Sequence, residues 1–194
     1  MGLLDAFLGR RKPAQPSLDA FFALPSAAIT VQAALDFVPT GRAGIAFRAP
    51  EGRAFHDVKS EIERLLALDA STCVEIVEDS YGFDWVTVET DPADVSAATV
   101  HVHAANVSLV ESGFGSHMLC AMWGFRGPEG SALALVYLYK SGTFYPFAPR
   151  DGTDQVRDNV LEIQIRDLIA GEVPIERDTR RWLAVWDAPV LRET

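Results

Sequence analysis

Two apolar runs, residues 132–139 (ALALVYLY) and 143–147 (TFYPF), meet across Lys140, Ser141 and Gly142. That closeness constrains the fold more than any other feature. Parallel neighbours need a crossover of a dozen or more residues, so these runs must pair antiparallel. Gly142 can supply the positive φ that a tight reversal requires. The arrangement recurs along the chain. Residues 73–77 and 83–89 flank Asp79, Ser80, Tyr81 and Gly82, and residues 117–125 precede 132–139 across RGPEG. Residues 28–37 and 43–48 read as a further strand pair across PTGRAG, a loop with turn chemistry.

Helical patterns fill the spaces between the pairs. Ser17 is placed to cap a brief helix over 18–24, which Pro25 stops. In residues 51–69, Phe55, Val58, Ile62, Leu65 and Leu66 recur at three- and four-residue steps, as one face of a helix does. Asp91 and Pro92 open a helix over 93–111, closed by Gly113. Asp154 starts another over 154–170, ended by Gly171 and Pro174. Leu161, Ile163 and Ile165 alternate there as a strand would, but the length and the boundary signals favour helix. The expected order is αββαββαβββα, then a tail in which Trp182 and Trp186 clip onto the domain. The fold class is α+β, a largely antiparallel sheet of hairpins with helices packed on one face. That order is similar to the secretion-chaperone-like and YbjN-like folds, which are binding scaffolds. Residues 1–16 form an amphipathic segment and a proline-containing linker, and residues 17–194 a single domain.

The composition narrows the function. A net charge of −10 over 194 residues opposes nucleic-acid binding, which depends on Lys and Arg neutralising phosphates. The two cysteines, Cys73 and Cys120, lie in apolar strand-like stretches and read as buried free thiols. The start MGLLDAFLGRRKP lacks the order of a signal peptide, and no apolar run approaches 18 residues. A cytoplasmic location is expected, extending to the inner face of the membrane.

The sequence brings no reactive side chains together at workable spacing. His101 and His103 would chelate from a strand, but two residues along a helix their rings diverge by about 200°. His117 and Cys120, three apart on a strand, face opposite sides, and no zinc site is expected. GFGSH is neither a nucleophile elbow nor a dinucleotide loop, and Ser116 and His117, adjacent on a strand, point apart. Glu61 with Glu63, Glu75 with Glu78, and Glu78 with Asp79 read as solvated surface charge. No catalytic, cofactor or metal residues are assigned, and the chain is expected to be non-enzymatic. The alternatives are a hydrolase built from scattered residues around Ser116 and His117, and a peripheral membrane protein using residues 1–12.

Two contact surfaces are expected instead. In the first, Phe144, Tyr145 and Phe147 lie between Lys140 and Arg150, with Tyr137 and Tyr139 just before them, a mixture of amphipathic aromatics and cations suited to a protein partner. Its competitor is aromatic packing across the hairpin. In the second, Leu3, Leu4, Phe7 and Leu8 fall at near-helical spacing before Arg10, Arg11 and Lys12. Such a segment is too short to hold a helix alone and would dock, weakly, on a membrane or a partner.

The phrases MGLLDAFLGRRKP, FFALPSAAITVQAALDFVPTGRAGIAFRAPEG, DSYGFDWVTV, LVYLYKSGTFYPFAP and RDNVLEIQIRDLIAGEVPIE together resemble the PspA-associated protein PspAB family. The resemblance runs over nearly the whole chain. It implies a place in a phage-shock, envelope-stress system built around PspA, a coiled-coil protein that coats and repairs stressed membranes. PspA or other proteins of that system are then the implied partners, and the family offers no catalytic residues to carry over.

Overall fold

Pro25, expected to stop a helix, starts one. The computed structural model describes residues 18–48, 60, 73–150, 152 and 155–192. In it a 3-10 turn, Leu18–Ala23, runs directly into helix α1, Leu24–Leu35, with Pro25 in the first turn. Proline is at home there, because its missing N–H has no partner in that turn anyway. The strand expected over 28–37 is therefore helical. Ile29, Thr30 and Val31 carry strand propensity, but Leu24, Ala27, Ala28 and Val31 are the buried set, and their spacing is that of a helix. Asp36 ends α1 in the left-handed region at φ 58°, its N–H bonded to the Gln32 carbonyl. Length and mean hydropathy alone would let Leu18–Leu35 cross a membrane, contrary to the expectation of no such run. Here Phe21, Leu24 and Val31 are built into the domain core.

The PTGRAG loop is also absent as a turn. Strand β1, Val38–Phe47, runs straight through it, with a register shift between Pro39 and Ala43 where it pairs with β4. Gly41 takes φ 76° at this bulge, and a Cβ there would lie 2.2 Å from the Thr90 carbonyl oxygen. The turn residues thus serve a bulge, which needs the same backbone freedom as a reversal. The expected first hairpin is a helix followed by one strand.

The other hairpins form as expected. Strands β2 (Cys73–Glu78), β3 (Asp84–Glu89), β4 (Met118–Arg126), β5 (Ala132–Leu138) and β6 (Thr143–Phe147) join β1 in one antiparallel sheet of order β2-β3-β1-β4-β5-β6. Asp79 pins the β2–β3 turn. Its carboxylate accepts hydrogen bonds from the Tyr81 and Phe83 amides at 2.9 and 3.0 Å, and from the Trp85 indole N–H at 2.9 Å. Gly142, at φ 70°, makes the β5–β6 turn. Helix α2, Val95–Glu111, is capped by Asp94, which accepts from the Ala97 N–H. Helix α3, Asn159–Ile169, starts later than expected, because Asp158 is its cap. The helix expected over 51–69 lies outside the described residues except at Ser60, which is helical.

Among the described residues the fold is thus α+β, with three helices and a six-stranded open sheet. The helices gather on one face, α2 over β1 and β3, α3 over β6, and α1 against both helices. Ile45, Val86, Trp123, Leu135, Tyr137 and Phe144 point into that layer. The alternate residues Ala46, Trp85, Met122, Val136, Tyr145 and Phe147 point the other way. An antiparallel sheet commonly leaves its second face wet. This one does not, since every residue of β5 is buried.

Candidate functional site

The cover on the second face is the chain's own C-terminal strap. It leaves α3, and Ile175 makes a parallel bridge to Phe144, so the Phe144 N–H donates to the Pro174 carbonyl at 2.7 Å and the Glu176 N–H donates to Phe144 O at 2.8 Å. The edge of β6 is thereby paired. The strap then crosses the sheet. Trp182 stacks on Tyr145 with ring centroids 5.7 Å apart, and the Tyr145 hydroxyl donates to the Leu183 carbonyl at 3.0 Å. Trp186 meets Phe147 edge to face at 5.1 Å. The turn Pro189–Leu191 reaches β1 and β4, where Gly44 and Gly124 make room for Val190. A Cβ on Gly124 would lie 2.8 Å from the Val190 carbonyl oxygen.

One ion pair locks the crossing. Glu162, only 1% exposed, accepts from the Arg157 guanidinium at 2.8 Å and from the Ala148 N–H at 2.9 Å. Arg157 also donates to the Trp182 carbonyl at 2.9 Å and lies over the Phe147 ring. A buried carboxylate with this many donors is held in place from both sides. Cys120 is sealed under the same strap, and burial pushes its thiol up to about 12. Burial raises the Tyr145 phenol as well. Neither group ionises at neutral pH.

This geometry corrects the expected aromatic contact surface. Tyr137, Phe144, Tyr145 and Phe147 are fully buried and Tyr139 nearly so. Only Lys140 and Arg150 reach solvent, and Arg150 pairs with Asp158 at 3.2 Å. Trp182 and Trp186 cover the face that carries Tyr145 and Phe147, while Tyr137, Tyr139 and Phe144 face the helices. The second expected surface, Leu3, Leu4, Phe7, Leu8, Arg10, Arg11 and Lys12, lies outside the described residues.

The reactive groupings also resolve. Cys73 is exposed, contrary to expectation, because it sits on β2 at the sheet edge. Ser116 and His117 lie in a 3-10 turn rather than a strand, so their side chains do meet, with Oγ 3.3 Å from Nδ1. That contact is exposed, and a cavity of about 560 Å³ lies elsewhere, beside Arg166, Val173 and Arg177. No group of three or more metal-ligating side chains occurs among the described residues.

The open surface is on α1 and α2. Across both helices the only formally charged residue is Glu111. The inner side of α2 buries Ala98, Val102, Ala105 and Leu109. Its outer side shows Ser96, Val100, His103, Val107 and Val110, at steps of four, three, four and three. Val100 is 52% exposed, Val107 37% and Val110 42%. Alternating three- and four-residue steps are the seam by which one helix packs along another. Ile29 on α1 and Phe22 in the preceding turn, 70% and 53% exposed, extend the patch, and the Phe22 ring lies 5.3 Å from that of His103. The missing signal in the sequence was the lack of charge in VSAATVHVHAANVSLV, which no buried helix face of this size requires.

By class, then, this is an α+β domain on an open antiparallel sheet, one face under helices and the other under a strap. The chain belongs to the PspAB family: the model of that family, PspA associated protein B, matches residues 1–190. No curated protein and no solved structure matches it.

Proposed function

We propose that the protein is a non-enzymatic cytoplasmic adaptor or regulator in a PspA-centred envelope-stress response, and that it binds its partner through the outer face of α1 and α2. The observation that carries this reading is the exposed seam of Ser96, Val100, His103, Val107 and Val110 on a helix whose one charge is at its end. Solvent-facing helix positions ordinarily carry charge, and a contiguous apolar patch of this kind marks an interaction site. A seam with these steps accepts a second helix, and a coiled-coil partner presents such helices along its length. The family description, PspA associated protein B, supports PspA as that partner.

Binding of the purified protein to PspA tests this reading, with Val100→Asp plus Val107→Asp as the disabled variant. Both positions point to solvent, so the variant keeps the native far-UV spectrum and melting point. Its affinity falls at least tenfold. Equal affinity in a folded variant removes the surface, and no binding by the wild type removes the partner. Tyr145→Ala plus Phe147→Ala is unsuitable, since it would unseat the strap.

A further inference from the structure

Arg177 stands apart from the other cations of the strap. Arg180 pairs with Asp178 at 2.8 Å, and Arg181 with Glu176 at 3.6 Å. Arg177 has no hydrogen-bond or ion-pair partner among the described residues, and with Arg166 of α3 it lines the cavity of about 560 Å³. Cavities of about 300–1,000 Å³ are the size that ligands fill. The strap's own acids turn elsewhere. Glu172 accepts from the Thr30 hydroxyl on α1, and Glu176 accepts from the Thr143 hydroxyl at 3.2 Å. Asp167 is the one acid on the lining, and it pairs with Arg166 at 2.7 Å. Two guanidiniums against one carboxylate make a cationic hollow in a chain of net charge −10.

One wall of the hollow is an unfinished sheet edge. In the parallel bridge between Ile175 and Phe144, the Pro174 carbonyl and the Glu176 N–H face β6. The N–H and C=O of Ile175 itself therefore point away from β6, and neither has a hydrogen-bond partner among the described residues. Alternate residues of an extended chain share a face, so Arg177 projects on the same side as Val173 and Ile175, which pack toward the helix layer. Ala170 of α3 completes the apolar part of the wall.

A strand laid along this edge is satisfied in three ways. Its backbone exchanges hydrogen bonds with Ile175, one side chain covers Ala170 and Ile175, and a carboxylate two residues along meets Arg177 and Arg166. Carboxylate–guanidinium bonds are charge-assisted and directional. An inorganic phosphate or a lipid headgroup phosphate answers only the cations, since it brings no N–H for the Ile175 carbonyl. The edge therefore favours a peptide.

We propose that the groove between the end of α3 and residues 173–177 binds an extended acidic segment of another protein, by strand addition at Ile175 with carboxylates on Arg166 and Arg177. This groove shares no residue with the seam on α1 and α2. The chain then carries two separate contact surfaces, as an adaptor between two proteins requires.

The test adds the end-blocked peptide STVTETVTETS, in which Val and Glu alternate along one face, to the full-length protein. Backbone amide shifts and amide exchange are followed by NMR. With the peptide at about 1 mM, enough to populate a weak site, the Ile175 and Arg177 amides shift and exchange at Ile175 slows. The counterpart STVTQTVTQTS binds about fivefold more weakly, and Arg177→Gln weakens the acidic peptide about as much, as loss of one exposed ion pair does. Arg177 is exposed, so that variant keeps the wild-type melting point. Amides over 173–177 that stay in place, or equal affinity in folded Arg177→Gln, overturn the proposal. So does an N-methylated peptide that binds as well as its parent while inorganic phosphate produces the same shifts, because the hollow is then an anion site only. Val100→Asp plus Val107→Asp binds the peptide like wild type; loss of binding there assigns the peptide to the α1–α2 seam and also overturns the groove.

Discussion

The second face of the sheet and the outer face of α2 invite direct comparison, for both are apolar and only one is sealed. Tyr145, Phe147, Trp85 and Met122 form a large aromatic and aliphatic floor, with Trp182, Trp186, Ala188 and Val190 laid across it. Val100, Val107 and Val110 make a smaller patch, yet they keep more than a third of their surface in solvent. The difference teaches that a conspicuous aromatic cluster is a poor guide to a contact surface. Large rings lose the most by staying wet, so folding covers them first. Small β-branched residues on a helix can stay exposed at modest cost, and that is where a reversible contact can be kept.

The comparison breaks most visibly at Trp182. Trp182→Ala is expected to cost about 3–5 kcal/mol in chemical denaturation, the usual range for deleting a buried indole. Alkylation of Cys120, negligible in the native protein, then becomes measurable beside the fast reaction of exposed Cys73. A variant that keeps Cys120 protected shows that the strap holds without its main anchor.

Next comes the Arg157–Glu162 lock. Removing one member leaves the other charge and the Ala148 N–H without their partner, so Glu162→Ala should lose about 3 kcal/mol. Gly124→Ala is smaller, about 1–3 kcal/mol, because its methyl group must push Val190 and Thr40 aside. Limited proteolysis of this variant should cut within 177–192 before it cuts the sheet. Equal cleavage rates in wild type and variant would show that the strap tolerates the displacement.

Acid should loosen the strap more gently. Burial pushes the Glu176 carboxyl up, but the Asp178 N–H, the hydroxyls of Ser141 and Thr143, and Arg181 together hold it below the usual range. Hydrogen bonds from Ser80, with Arg192 nearby, lower Asp187 as well. A carboxyl lowered on folding stabilises the native state above its unfolded pKa and loses that contribution as pH falls through the folded value. Tryptophan fluorescence should therefore report strap opening below about pH 4, ahead of any loss of helix signal. A transition centred near neutral pH would point to other groups.

The smallest change in stability belongs to the open face. Val100→Ser and Val107→Ser should stay within about 0.5 kcal/mol of wild type, as exposed substitutions do. A larger loss in urea melts would mean that these valines are covered in the free protein and that the face is not open.

Much of the fold could be read from the chain. The β2–β3, β4–β5 and β5–β6 hairpins follow from short turns between apolar runs, and α2 follows from Asp91 and Pro92 ahead of it and Gly113 behind it, although Asp94 is its cap and it starts two residues later than expected. Two stretches misled for identifiable reasons. In ITVQAALDF the β-branched residues outweigh the helix period on paper, whereas burial of Leu24, Ala27, Ala28 and Val31 decides for helix in the fold. In PTGRAG the same residues suit a turn or a bulge, and only pairing with β3 and β4 distinguishes them. The candidate site was less legible. The uncharged run of α2 could have been noticed, but which of its valines face outward depends on how the helix rolls against β1.

The amino-acid sequence by itself determined the antiparallel pairing, the α+β class and the family, because turn length, apolar period and local phrases are properties of neighbouring residues. Which apolar surfaces stay in contact with water was settled only in three dimensions. Trp182 lies 37 positions beyond Tyr145 in the chain, and no local pattern states that one will cover the other. Exposure is what remains after every distant segment has been placed, so the strap and the seam become visible together, and only in the folded molecule.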